Sequence, residues 1–351
     1  MLFEPIGEEI DCDEEESVLD AAFRHGFNLV YGCREGQCSA CKAYLLEGEV
    51  ALKPYSTFAL SDSEESNGYT LLCRAMPEED LVVELLHFDP DNYRLENPIR
   101  DGRAVLTAVE ALTHDISRLE LAVSEPADFS FVPGQYVDLW VPGSDARRSF
   151  SMANLPGDGR IELIIKRYPG GRFSGLLDGA IAPGDELRFT GPYGAFHLRS
   201  SDSPILMVAG GSGMAPILSL LRRLAAEGTE RPVRFFYGAR TAQDLFYVDL
   251  IRGLGTRLAD FEFTPVLSDP DRFVHEAADE FLESGAMTDP EIYMCGPPPM
   301  IDAMLEVATE KHGIDEDRIY HDKFTTAADA ASDEQAESLG DVTSMRAGEA
   351  G

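Results

Sequence analysis

Four cysteines constrain this chain more than any other feature. The stretch "CREGQCSAC" sets Cys33, Cys38 and Cys41 in one loop, and Cys73 follows after 31 intervening residues, so the spacing is Cys-x4-Cys-x2-Cys…Cys. Only two other cysteines, Cys12 and Cys295, occur in 351 residues. Any fold must therefore bring a tight loop and a distant residue to one point. Three thiolates from a loop and a fourth from elsewhere is the ligand pattern of a [2Fe–2S] cluster. Gly36, Ser39 and Ala40 are small enough for backbone N–H groups to approach the sulfurs. Such bonds tune a potential that for this cluster type is about −400 mV. The competing reading is zinc, but structural zinc sites commonly use two short Cys-x2-Cys pairs. Cys12 has no evident partner and reads as a small residue near a strand.

Composition narrows the setting. A hydrophobic content of 44% with 26% charged residues is that of a globular chain, with no apolar run long enough to span a membrane. The start, "MLFEPIGEEIDCDEEE", lacks the basic and apolar regions of a signal peptide, so a reducing cytoplasm is expected. There, clustered cysteines favour metal over disulfides. Net charge is −34, and residues 1–97 hold 22 Asp or Glu against 6 Lys or Arg, a local balance of −16. This field opposes nucleic acid and anionic membrane and suits a basic protein partner. Acidity that serves only solubility, or a high-salt cytoplasm, is the alternative.

Three modules and a tail follow from the patterning. Residues 1–97 contain the cysteine loop. After a short polar linker with Pro98 and Gly102, β-type runs separated by Gly and Pro ("RAVLTAVEAL", "ISRLELAV", "QYVDLWV", "RIELIIKRY", "DELRFTGPYG") fill residues 98–200. Their rhythm predicts a small antiparallel β-barrel. In 201–326, "PILMVA", "VRFFYGA", "FEFTPVLS" and "EIYMCG" alternate with helical stretches, which predicts a parallel α/β sheet. Residues 327–351 are small and acidic with little to bury, and read as a disordered tail. The expected fold class is multidomain, α+β and α/β.

These residues carry a family resemblance. "VLDAAFRHGFNLVYGCREGQCSACKAYLLEGEV" resembles the core of a plant-type ferredoxin domain of β-grasp fold, with a first strand shorter than the family often has. "ARRSFSMAN" resembles the Arg-x-aromatic-Ser motif of the ferredoxin–NADP reductase superfamily. The resemblance implies that Arg148 binds FAD pyrophosphate, Phe150 packs on the flavin, and Ser151 lies near its reactive nitrogen, with Ser149 between them. Guanidinium and aromatic groups suit those tasks. "IKRYPGGRFSGLL" resembles the second flavin element, where Lys166, Gly171, Phe173 and Ser174 would line the site and open a helix toward the phosphates. "MVAGGSGMAP" resembles the superfamily's glycine turn: Gly210, Gly211, Ser212 and Gly213 would approach the NAD pyrophosphate, with Pro216 in the first helical turn. "MCGPPPM" resembles its Cys-Gly-Pro-Pro segment. Cys295, Gly296 and Pro297 would then border the nicotinamide, Cys295 by contact and not by nucleophilic attack; a buried structural thiol is the plainer alternative. Asp244 would accept the adenosine ribose hydroxyls and so favour NADH, whereas Arg240 would suit a 2′-phosphate. Phe324 in "YHDKFTT" would cover the flavin.

Taken in order, cluster, FAD and NADH resemble the reductase components of soluble di-iron monooxygenases. That implies electron flow from NADH through FAD to [2Fe–2S] and then to a separate oxygenase, docked transiently through the acidic ferredoxin domain by a monomeric reductase. The seven histidines are scattered, so no oxygen-activating site is read here. The alternatives are a reductase for a Rieske dioxygenase or for a separate ferredoxin or P450, and a non-catalytic redox carrier or sensor.

Overall fold

The first helix begins where the sequence supplies a cap. Ser17 accepts the backbone N–H of Asp20, and Val18–Arg24 then buries Val18, Leu19, Ala21, Ala22 and Phe23 on one face. That face packs with Phe3, Phe27, Ala43, Leu71 and Val83 in a core that also takes in Tyr193 from farther along the chain. The computed structural model describes residues 1–13, 15–88, 90, 93–268 and 272–324. The tail expected at 327–351 lies outside the described residues.

The N-terminal sheet has five strands in the order Glu8–Glu9, Leu2–Glu4, Val82–Leu85, Lys42–Glu47 and Tyr69–Leu71. Leu2–Glu4 runs parallel to Val82–Leu85, and the other pairs are antiparallel. The opening hairpin is short, as the sequence suggested. With one helix packed across a mixed sheet, this is the β-grasp arrangement. Cys73 falls in the turn between Tyr69–Leu71 and Ala75–Pro77, and so projects from a strand end instead of a strand. Cys12 donates to the carbonyls of Asp13 and Glu16, and burial pushes its thiol up to about 11, as befits a structural residue.

The second sheet is antiparallel throughout, in the order Arg147–Ser151, Tyr136–Trp140, Glu186–Tyr193, Arg100–Ala111, Ile116–Glu125 and Arg160–Lys166. A bridge between Met152 and Leu163 joins its first and last strands, which closes the barrel. The third sheet is wholly parallel, ordered Phe261–Leu267, Val233–Ala239, Ile205–Gly210, Glu291–Gly296 and Ile319–Lys323. Chain order reverses on either side of Ile205–Gly210, a topological switch point where such sheets take ligands.

The barrel sits between the other two modules. Toward the parallel sheet, Arg222 donates to the Ala153 carbonyl at 2.7 Å and pairs with Glu162 at 3.1 Å, while Ser219 donates to the Asn154 carbonyl at 2.8 Å. Barrel residues Ile116, Ala153 and Ile164 share a core with that domain. No helix among the described residues is long and apolar enough to cross a membrane.

Candidate functional site

The cysteine loop is curled by three left-handed residues, Arg34 (φ 59°), Gly36 (φ 75°) and Ser39 (φ 55°). That curl turns backbone donors inward. The N–H groups of Glu35 and Gln37 donate to the Cys33 sulfur at 3.4 and 3.2 Å, and the N–H of Cys33 donates to the Cys38 sulfur at 3.2 Å. A Cβ on Gly32 would lie 2.8 Å from the Cys38 sulfur, so the backbone must stay bare there. The Cys38 thiol, and then those N–H groups, bring Cys33 down to about 5; Cys73 likewise holds Cys41 below the ordinary thiol range. The sulfurs thus associate two and two, Cys33 with Cys38 and Cys41 with Cys73. Among the described residues no three of them come within 4.8 Å of one another. A tetrahedral zinc would gather all four at about 3.8 Å, given zinc–sulfur bonds of about 2.3 Å. Two pairs fit two irons instead, and the donor set fits the cluster.

On the barrel, the motif strand Arg147–Ser151 lies beside Tyr136–Trp140, with Asp138 opposite Ser149 and Tyr136 opposite Ser151. Ser151 is buried, and the half-buried Phe150 ring packs on Phe173 with centroids 5.1 Å apart. The Arg148 guanidinium donates to the carbonyl of Arg147, and the Lys166 ammonium lies over the Tyr168 ring. Neither cation meets a carboxylate among the described residues, which suits an anionic pyrophosphate. The second element opens a short helix, as the resemblance implied: Ser174–Asp178 is a five-residue 3₁₀ helix. The Ser174 hydroxyl is spent locally, accepting the Tyr168 N–H at 3.1 Å, and a Cβ on Gly171 would run into that hydroxyl.

At the parallel sheet, strand Ile205–Gly210 runs into the turn Gly211–Gly213 and then the helix Met214–Glu227, with Pro216 buried in its first turn. Ala209 and Cys295 are direct neighbours on adjacent strands. A Cβ on Gly213 would strike the Cys295 carbonyl, and one on Gly210 would lie 2.7 Å from the Met300 sulfur. The glycine turn and the Cys295–Gly296–Pro297 segment therefore form one bare ledge, with Ser212 within its turn. Cys295 is fully buried and desolvation pushes its thiol well up, so it is no nucleophile. Phe324 donates its N–H to the Gly296 carbonyl at 2.9 Å and packs against the core shared with the barrel.

Asp244 and Arg240 are committed to each other. Arg240 bonds Asp244 at 3.1 Å and Asp115 of the barrel at 3.0 Å, while the second Asp244 oxygen accepts the N–H and hydroxyl of Thr241. Arg240 thus pairs with two carboxylates while its own side chain stays 60% exposed.

Three groups went unread in the sequence. Asp322 lies opposite Cys295 on the neighbouring strand, and burial pushes its carboxyl up to about 6. Arg34 of the cysteine loop pairs with barrel residue Asp138 at 2.9 Å, both side chains nearly enclosed. Only an arginine among small and polar loop residues could have signalled that pair.

The chain matches three family models in order: a 2Fe-2S iron-sulfur cluster binding domain over 2–78, an oxidoreductase FAD-binding domain over 103–198 and an oxidoreductase NAD-binding domain over 207–306. Together they define an NADH-dependent iron–sulfur flavoprotein oxidoreductase with FAD and a [2Fe–2S] cluster. Over 342 residues the chain is 48% identical to the propane 2-monooxygenase reductase component of Rhodococcus jostii, covering 93% of this chain and 91% of the relative. It is 35% identical to the phenol 2-monooxygenase reductase component of a Pseudomonas species, over 97% of this chain and 98% of that one. An Amycolatopsis cytochrome P450 reductase superposes with a TM-score of 0.84 at 33% identity, over 93% of this chain and 98% of that one. The chain belongs to the family of oxygenase reductase components that join a ferredoxin domain to a flavin- and nicotinamide-binding module.

Proposed function

We propose that this chain is the reductase of a di-iron monooxygenase of the propane-oxidising kind, with modules at 1–97, 98–200 and 201–326. The observation that carries the reading is the 46–48% identity, over more than nine-tenths of the chain, to four propane 2-monooxygenase reductase components. When bound, FAD would supply the conversion of a two-electron hydride donor into single electrons for the cluster, which is why a flavin stands between the other two.

The chain's own residues do the holding. Cys33, Cys38, Cys41 and Cys73 ligate the cluster. Arg148 and Lys166 meet the FAD phosphates, Phe150 and Phe324 flank the flavin, and Ser151 lies at its reacting edge. Ser149, Gly171, Phe173 and Ser174 shape that pocket. The ledge of Gly210, Gly211, Ser212, Gly213 and Pro216 receives the nicotinamide dinucleotide, with Cys295, Gly296 and Pro297 beside its reactive ring and Asp244 on the adenosine ribose. The acidic ferredoxin module docks the hydroxylase as a monomer, transiently.

Anaerobic titration with NADH and with NADPH tests the first half: sub-stoichiometric NADH should bleach both flavin and cluster bands. Mixing the reduced protein with a purified di-iron hydroxylase, and separately with a P450, tests the second. Faster reoxidation by the P450 would favour the reading supported by the Amycolatopsis likeness.

A further inference from the structure

We propose that Arg34 is a positioning residue for electron transfer, its ion pair with Asp138 fixing the cluster loop against the strand that carries the flavin motif. This rests on the reading above, that Arg147–Ser151 borders the flavin. Arg34 immediately follows a cluster ligand and adopts a left-handed backbone, a conformation unusual for arginine, that carries its side chain out of the loop and into the barrel. Its side chain is 12% exposed and that of Asp138 6%. The other Asp138 oxygen accepts the Ser149 hydroxyl at 2.7 Å, and Ser149 lies between Arg148 and Phe150. One continuous path of side-chain bonds thus joins the residue beside Cys33 to the middle of the flavin motif.

Aromatic rings seat the guanidinium. Its carbon lies 3.6 Å from the centroid of Tyr193, which stacks on Tyr136 at 5.6 Å. The Tyr31 hydroxyl, from the ferredoxin side, accepts the Gly194 N–H of the barrel. Both partners of the ion pair are nearly enclosed, so solvent and salt screen it little. On the loop's other edge Gln37 and Cys38 are exposed. The cluster loop therefore faces the flavin strand and the solvent at once, and one arrangement serves both entry and exit of electrons.

The test uses the full-length holoprotein and the variants R34Q and R34K. In anaerobic stopped-flow with NADH, bleaching of the flavin band should keep its rate, while bleaching of the cluster band should slow by about tenfold or more, as small misplacements of reacting groups do. R34K keeps the charge but loses the planar stack and fork, so it should slow the same step less. Hydrogen exchange gives a second readout: amides of 33–40 and 136–149 should exchange faster in both variants, and in D138N. If R34Q fails to load its cluster, R34K decides alone. A wild-type cluster phase with unchanged exchange overturns the proposal. So does a slowing fully accounted for by a shifted cluster midpoint potential, since Arg34 would then act by charge and not by position. A wild-type protein with no flavin phase would instead sink the underlying reading.

Discussion

Gly213 has an ordinary helical φ of −60°, yet it admits no side chain. The obstacle is backbone: a Cβ there would meet the carbonyl of Cys295 and come within 2.7 Å of the Gly296 nitrogen, and neither atom can rotate away. Gly213→Ala should therefore cost about 1–3 kcal/mol by forcing the turn away from the strand Glu291–Gly296. We expect a lower melting temperature by circular dichroism and slower NADH-driven flavin bleaching. Gly211→Ala is the comparison, since its position is open but left-handed (φ 56°), and only local strain of about 1 kcal/mol is expected. Equal melting temperatures for both variants and the parent would remove the steric argument. The glycine turn was legible as a motif because strand, glycines and helix are contiguous. Which glycine is sterically compelled was not, because the blocking atoms come from a strand far along the chain. The same holds for Arg34, whose counter-ion lies in another module.

Each predicted strand of the barrel and parallel sheet was readable where apolar residues alternated or ran together. The two that escaped, Arg147–Ser151 and Ile319–Lys323, are short and polar, and both lie at the end of their sheet's order. Their runs, RRSFS and IYHDK, offer few apolar residues to alternate, so periodicity says little. Strand Glu291–Gly296 shows how a buried charge is accommodated at an element's start. Glu291 accepts from Ser201 at 2.6 Å, Arg231 at 2.6 Å and Tyr293 at 2.8 Å. Burial pushes its carboxyl up, but these donors outweigh it and leave the pKa below the ordinary 4.5. A lowered carboxylate contributes stability above the unfolded pKa and loses it as pH falls through the folded one. Glu291→Gln should thus destabilise by about 1–3 kcal/mol at neutral pH, since Arg231 loses its carboxylate but keeps the Ser203 and Arg199 carbonyls. The gap from the parent should narrow only below about pH 4.5. Urea melts at pH 7 and pH 4 measure this, and a gap that widens on acidification would contradict the assignment.

For the whole molecule, the docking of an oxygenase proposed for the acidic ferredoxin module rests on charge and can be tested through it. Beside the cluster loop, Ser56 donates its N–H to the Gly36 carbonyl and the Tyr55 hydroxyl donates to Glu65 at 2.7 Å, so the segment around Phe58 flanks the exposed edge of the cluster site. Phe58 is 76% exposed, and Glu35, Asp62 and Glu65 are exposed around it. An apolar centre within an acidic surround is the pattern of a transient interface: the ring adds contact area, and the carboxylates steer the approach. Salt should then weaken association through its rate. The screening length falls from about 10 Å at 0.1 M to about 3 Å at 1 M, so the association rate with a di-iron hydroxylase should drop about tenfold or more across that range. The variant E35Q/D62N/E65Q should start lower and show a shallower salt slope. Phe58→Ala should instead raise the dissociation rate and leave the slope intact. Stopped-flow association kinetics separate these effects, with NADH bleaching of the isolated variants confirming that flavin and cluster remain loaded. A salt-independent rate, or a triple variant with the parent's slope, would move the docking surface off this face of the ferredoxin module.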